Sequence, residues 1–98
     1  MDGKWEFTIH TFMGDMRSIM EFTAADGVLT GTGTDGSNGE TAPIENGVFD
    51  GKHFSYTLTI KTAVGEMTNE VEGDLEADAI TGKSRNGMGE FELTGVRL

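Results

Sequence analysis

Cysteine is absent from this 98-residue chain, and proline occurs once. Without cysteine there is no disulfide and no thiolate zinc site. Cations are scarce, with 7 Lys and Arg against 17 Asp and Glu and a net charge of −10. A surface of that sign repels phosphate backbones and anionic membranes, so no nucleic-acid partner is expected, and solubility is the plain use of the charge. No apolar run approaches the ~20 residues of a membrane-spanning helix. The opening MDGKWEFTIH has neither the basic nor the apolar region of a signal peptide. These absences lead us to expect a soluble, cytoplasmic protein with no membrane partner.

What the chain has is alternation. Apolar and polar residues trade places in stretches of strand length, and no segment has a helical period. Glycine is abundant, 15 of 98, with no collagen-like repeat, and so marks turns and tight positions in strands. The alternation predicts strands over 4–12, 15–25, 28–34, 41–49, 53–62, 66–74, 79–85 and 90–98. Short connections join them, Asp26-Gly27 carrying the strongest hairpin signal. Eight such strands predict one all-β domain over residues 1–98, an eight-stranded antiparallel up-and-down barrel. The predicted register puts Trp5 beside Phe22, Phe7 beside Met20 and Phe22 beside Gly31, with Asn46 facing Tyr56 and Leu58 facing Asn69. Ser18, Ile80, Ser84, Phe91 and Leu93 complete the inward set. On the outer wall Lys83 is expected between Glu70 and Glu92, Arg85 beside Glu90, and Lys61 opposite Glu66.

Gly3-Lys4-Trp5 on the first strand and Arg97 on the last resemble the calycin group of lipocalins, fatty-acid-binding proteins and avidins. That resemblance implies a calycin-like barrel in which a basic residue of the last strand lies across the tryptophan and closes one end, a favourable cation–π contact. The wider pattern, DGVLTGTGT through ENGVFDGKHFSYTLTI to GEFELTGVR, is similar to a family of small bacterial β-barrel domains of unassigned function. The first hairpin has no room for the helical lid of fatty-acid-binding proteins, and one tryptophan cannot make an avidin-type site. No ligand-binding residue follows from the resemblance.

If Trp5 and Arg97 cap one end, the other end is the mouth. Met13, Met16, Met67 and Met88 gather there with Ala63 and Val64, and methionine adapts to varied apolar shapes. A few inward polar groups in an apolar pocket mark a small-molecule site. Met16, Met20, Tyr56, Met67 and Asn69 are the expected lining, and the alternative is an interior filled by side chains.

Catalysis finds no support. His10 and His53 point outward on strands at opposite sides of the barrel, too far apart for a dyad or a shared metal. The loop 35–40 carries several oxygen ligands but fails the calcium-loop spacing. No inward histidine partners a serine, and no cleft encloses the glutamates. The expectation is therefore a non-enzymatic protein without cofactor or metal that binds a small, largely apolar molecule, or else a structural or interaction module. Phe12, Ile19, Phe49, Val96 and Leu98 are apolar at outward positions, Phe12 and Ile19 toward the mouth, and leave a homodimer open.

Overall fold

The computed structural model describes residues 1–12, 14–36, 39–62, 65–87 and 89–98, with the backbone alone at 61 and 62. The strands are β1 (Gly3–Thr11), β2 (Gly14–Ala25), β3 (Val28–Asp35), β4 (Thr41–Phe49), β5 (His53–Thr62), β6 (Gly65–Glu76), β7 (Ala79–Asn86) and β8 (Gly89–Arg97). Each pairs antiparallel with its neighbours in sequence, and β8 returns to β1, closing the barrel. This is the all-β, eight-stranded up-and-down architecture that the alternation predicts.

Hydrophobic parity sets which face of each strand turns inward. Phe22 lies opposite Gly31, Met20 opposite Gly33, Tyr56 opposite Val71 and Leu58 opposite Asn69, as expected. The first hairpin differs. Trp5 pairs with Met20, Phe7 with Ser18 and Ile9 with Met16, so the ladder sits two residues from the expected register. The β6–β7 ladder is displaced in the same way, with Lys83 opposite Glu72 and Arg85 opposite Glu70. A shift of two keeps every side chain on its own face, so the alternation is blind to it. Across β7 and β8, Lys83 faces Glu92 and Arg85 faces Glu90, and Lys61 is the backbone partner of Glu66.

Among the described residues the change of parity falls in β4. Asn46 adopts φ 54°, and the pairing with β5 slips between Glu45 and Val48. This bulge adds one residue, so Gly47 and Phe49 turn inward where a regular strand would turn Asn46 in. Two expectations are corrected as a result. Asn46 is exposed and donates to Thr57 Oγ1 at 3.4 Å, and Phe49 packs against the core.

Several glycines sit where strands press together. A Cβ on Gly47 would lie 2.9 Å from the Leu29 carbonyl carbon, with the carbonyl oxygen closer still. One on Gly82 would lie 2.7 Å from the Gly73 Cα. Small residues at such points let a narrow barrel bend its strands and close.

The Trp5 end is sealed. The indole is fully buried, and the Arg97 guanidinium carbon lies 4.4 Å from its ring centroid. Arg97 is held there by Asp78 Oδ1, at 2.9 Å from Nε, and by the Asp2 carbonyl, at 2.6 Å. Trp5 Nε1 donates to the Met1 carbonyl at 3.1 Å, and the Ala24 amide donates to Asp2 Oδ1 at 2.7 Å. The N-terminal residues thus lie across the floor of the barrel, and Met1 packs on the core.

Candidate functional site

The inward face falls into two levels. Near the sealed end Trp5, Phe7, Met20, Phe22, Leu29, Phe54, Ile80 and Leu93 are 0–2% exposed. Their aromatic rings interlock, Phe7 with Phe22 at 5.7 Å and Phe22 with Tyr56 at 5.7 Å between centroids. Toward the other end the inward residues Ile9, Ser18, Leu58, Ile60, Met67, Asn69, Asn86 and Phe91 are only half-buried. Full burial thus belongs to the middle of the barrel and the Trp5 side, while Ala24, Phe49 and Leu75 at the Trp5 rim and the inward residues toward the expected mouth are half-buried.

The five expected lining residues spread over this gradient. Met20 belongs to the fully buried set, its sulfur packed under Gly33, where an added Cβ would meet Sδ at 2.8 Å. Tyr56 stands above it, 4% exposed, with its ring stacked on Phe54 at 6.1 Å. Met67 and Asn69 are half-buried higher up on β6. Met16 shares their inward parity but lies at the rim, 52% exposed. Met13, Met88, Ala63 and Val64 lie outside the described residues.

The polar groups inside are few. Asn86 Nδ2 donates to Asn69 Oδ1 at 2.9 Å across β6 and β7. Ser84 is buried one level lower, on the rung that joins Tyr56, Val71 and Phe91. Burial pushes the Tyr56 phenol well above its usual range, because the phenolate would lose its hydration inside the barrel. Tyr56 is thus a neutral hydroxyl at any ordinary pH. Asn86 lies just beyond the predicted strand 79–85, but β7 runs one residue further and turns it inward. Its parity with Ser84 is the signal that could have found it.

The outer wall carries the other candidates. His10 is exposed, with Nδ1 3.0 Å from Asp15 Oδ1 and Nε2 3.2 Å from Thr94 Oγ1. His53 is exposed on β5, its Nδ1 2.9 Å from Asp74 Oδ1. Asp50 shapes the β4–β5 turn by accepting the amides of Lys52 at 2.9 Å and His53 at 2.7 Å, which hold its carboxyl below the usual range. In the loop 35–40 the Asp35 amide donates to the Glu40 carbonyl at 2.9 Å, while Ser37 and Asn38 lie outside the described residues. Phe12 is 77% exposed, and its ring lies 6.3 Å from that of Phe91. It does not neighbour Ile19, which pairs with Glu6 far down β1. Val28 and Val48, both about half exposed, face each other across β3 and β4. An open hollow of about 470 Å³ lies between the β2–β3 and β4–β5 turns at the Trp5 end, where Ala24 and Phe49 line it.

No protein-family model matches the chain, and no curated protein sequence does. Solved structures do. One redesigned β-barrel, b11L5F_LGL, superposes with a TM-score of 0.68 at 14% identity, over 99% of this chain and 90% of its own. Another, mFAP1, solved bound to DFHBI, gives a TM-score of 0.66 at 15% identity, over 99% and 94%. At such identities the likeness is one of fold. The calycin-like description agrees with the closed barrel, whereas the likeness to bacterial domains has no matching family.

Proposed function

We propose that this protein is a non-enzymatic binding barrel for a small, largely apolar molecule that enters opposite Trp5. One observation carries the reading: in the half of the barrel opposite Trp5 the inward side chains Ile9, Ser18, Leu58, Ile60, Met67, Asn69, Asn86 and Phe91 are only half-buried, with polar groups standing among apolar ones. A barrel of eight strands is wide enough to be filled by side chains or to hold one small ligand. The ligand would rest on Tyr56 and Met20, contact Met67 and Asn69 along the wall, and pass Met16 at the rim. Support comes from a barrel of the same fold solved with the small molecule DFHBI.

A screen of small apolar compounds followed by methionine-methyl NMR tests this. Binding should shift Met67 most, then Met20 and Met16. A screen in which no compound moves these methyls would refute the proposal.

A second reading is an interaction module that uses the outer wall. The facing pair Val28 and Val48 favours it, because adjacent exposed valines on one ladder form a small apolar strip. A protein that stays monomeric at millimolar concentration would exclude self-association through this strip.

A further inference from the structure

The interior donors lack matching acceptors. The Tyr56 hydroxyl makes no hydrogen bond to a described residue, yet among the described residues no fully enclosed side-chain oxygen is left without a partner. Its oxygen therefore borders space that a water or ligand atom can occupy. On the next rung Asn69 spends its Oδ1 on Asn86, which leaves its Nδ2 to donate elsewhere. Tyr56 and Asn69 face Val71 and Leu58 respectively on adjacent strands, so they are diagonal neighbours on one inner face. Such neighbours are about 7–8 Å apart at Cα, close enough for both side chains to reach one ligand atom or two adjacent ones.

Charge inside the barrel is arranged against anions. Asp35, opposite Ser18 on β3, has inward parity and is half-buried near the mouth. The inward guanidinium is Arg97, and it is committed at the sealed floor to Trp5, Asp78 and Asp2. Arg17 and Arg85 stand on the outer wall. A ligand carboxylate would thus be desolvated with no described cation at hand and a like charge on its way in.

We infer that the barrel selects an uncharged, largely apolar molecule bearing a hydrogen-bond acceptor such as a carbonyl, which Tyr56 and Asn69 bind as donors, and that it rejects carboxylates. The inference rests on the proposed interior site and names the class of its ligand. A fatty acid, with its ionised carboxylate, is the wrong chemistry for this interior.

Three matched fluorescent probes test it on the intact protein: 2-dimethylaminonaphthalene, its 6-acetyl ketone, and its 6-carboxylate. The ketone should bind with blue-shifted emission, at least tenfold tighter than the carboxylate at pH 7. Replacing the phenol by Tyr56→Phe should weaken the ketone about five- to tenfold and leave the acceptor-free parent unchanged, as expected for loss of one hydrogen bond. Asn69→Leu should show the same split, and it provides a second test if either variant melts early. Equal affinity for ketone and carboxylate, or equal losses for ketone and parent, would overturn the inference while leaving an interior site. If the parent and the ketone both fail to shift the Met67 methyl, the binding reading itself falls.

Discussion

Adding one methyl group at Gly47 should cost more than adding it anywhere more open. Its Cβ would lie 2.9 Å from the Leu29 carbonyl carbon and 3.0 Å from the Leu29 Cβ, with the carbonyl oxygen nearer still. The obstacle is backbone of β3, so relief requires parting two hydrogen-bonded strands. Overpacking costs about 1–3 kcal/mol, and a backbone clash belongs at the top of that range. For a domain of this size each kcal/mol lowers Tm by about 4–8 °C, so Gly47→Ala should melt about 12–24 °C early. Gly95→Ala meets the buried Phe7 ring at 2.7 Å and should cost about 2 kcal/mol. Gly33→Ala meets the Met20 sulfur at 2.8 Å, an atom that can swing aside, and should cost about 1 kcal/mol. Gly87 has nothing within 4 Å, so Gly87→Ala should be neutral or gain about 0.4–1 kcal/mol from a stiffer unfolded chain. Far-UV circular dichroism melts of the four variants provide the ranking. A Gly47→Ala protein that melts within about 3 °C of the parent would refute the close approach of β3 and β4.

Other outcomes follow from the same geometry. Arg97→Met should cost about 1–2 kcal/mol, mostly from the lost contact over Trp5, and should red-shift tryptophan emission; unchanged emission would contradict the seal. At φ 54°, Asn46→Gly should be tolerated, whereas Asn46→Val should lose about 1–2 kcal/mol in urea titrations; equal stabilities would dismiss the bulge. The sole tyrosine gives a clean alkaline signature. Because burial raises the Tyr56 phenol, the unfolded chain binds fewer protons than the native one above about pH 10, so stability should fall there by up to about 1.4 kcal/mol per pH unit. Tyr56→Phe should remove that part of the slope, and an unchanged slope would place the phenol in water.

Much of this fold is legible in the alternation, because a closed barrel with one dry face imposes period two on every strand. The strand ends fall within two residues of the prediction, and the meeting of Trp5 with Arg97 follows from antiparallel closure of β1 on β8. Register is less legible, since a slip of two leaves parity intact; the first hairpin turns one residue earlier, at Thr11 and Gly14. The bulge at Asn46 breaks the period, and its clue was present. Asn-Gly inside a strand, with Phe49 then on the wrong face, marks an extra residue. The site is legible only as a set of inward positions. How far each is buried, and that Asn69 pairs with Asn86, depends on neighbouring strands that the local pattern does not encode.

The most direct measurement is a crystal structure of the protein soaked with the acetyl-dimethylaminonaphthalene ketone. The account predicts the ring system in the half of the barrel opposite Trp5, its carbonyl oxygen within hydrogen-bond reach of the Tyr56 hydroxyl. A ketone bound on the outer wall instead, with side chains filling the barrel from end to end, would contradict it.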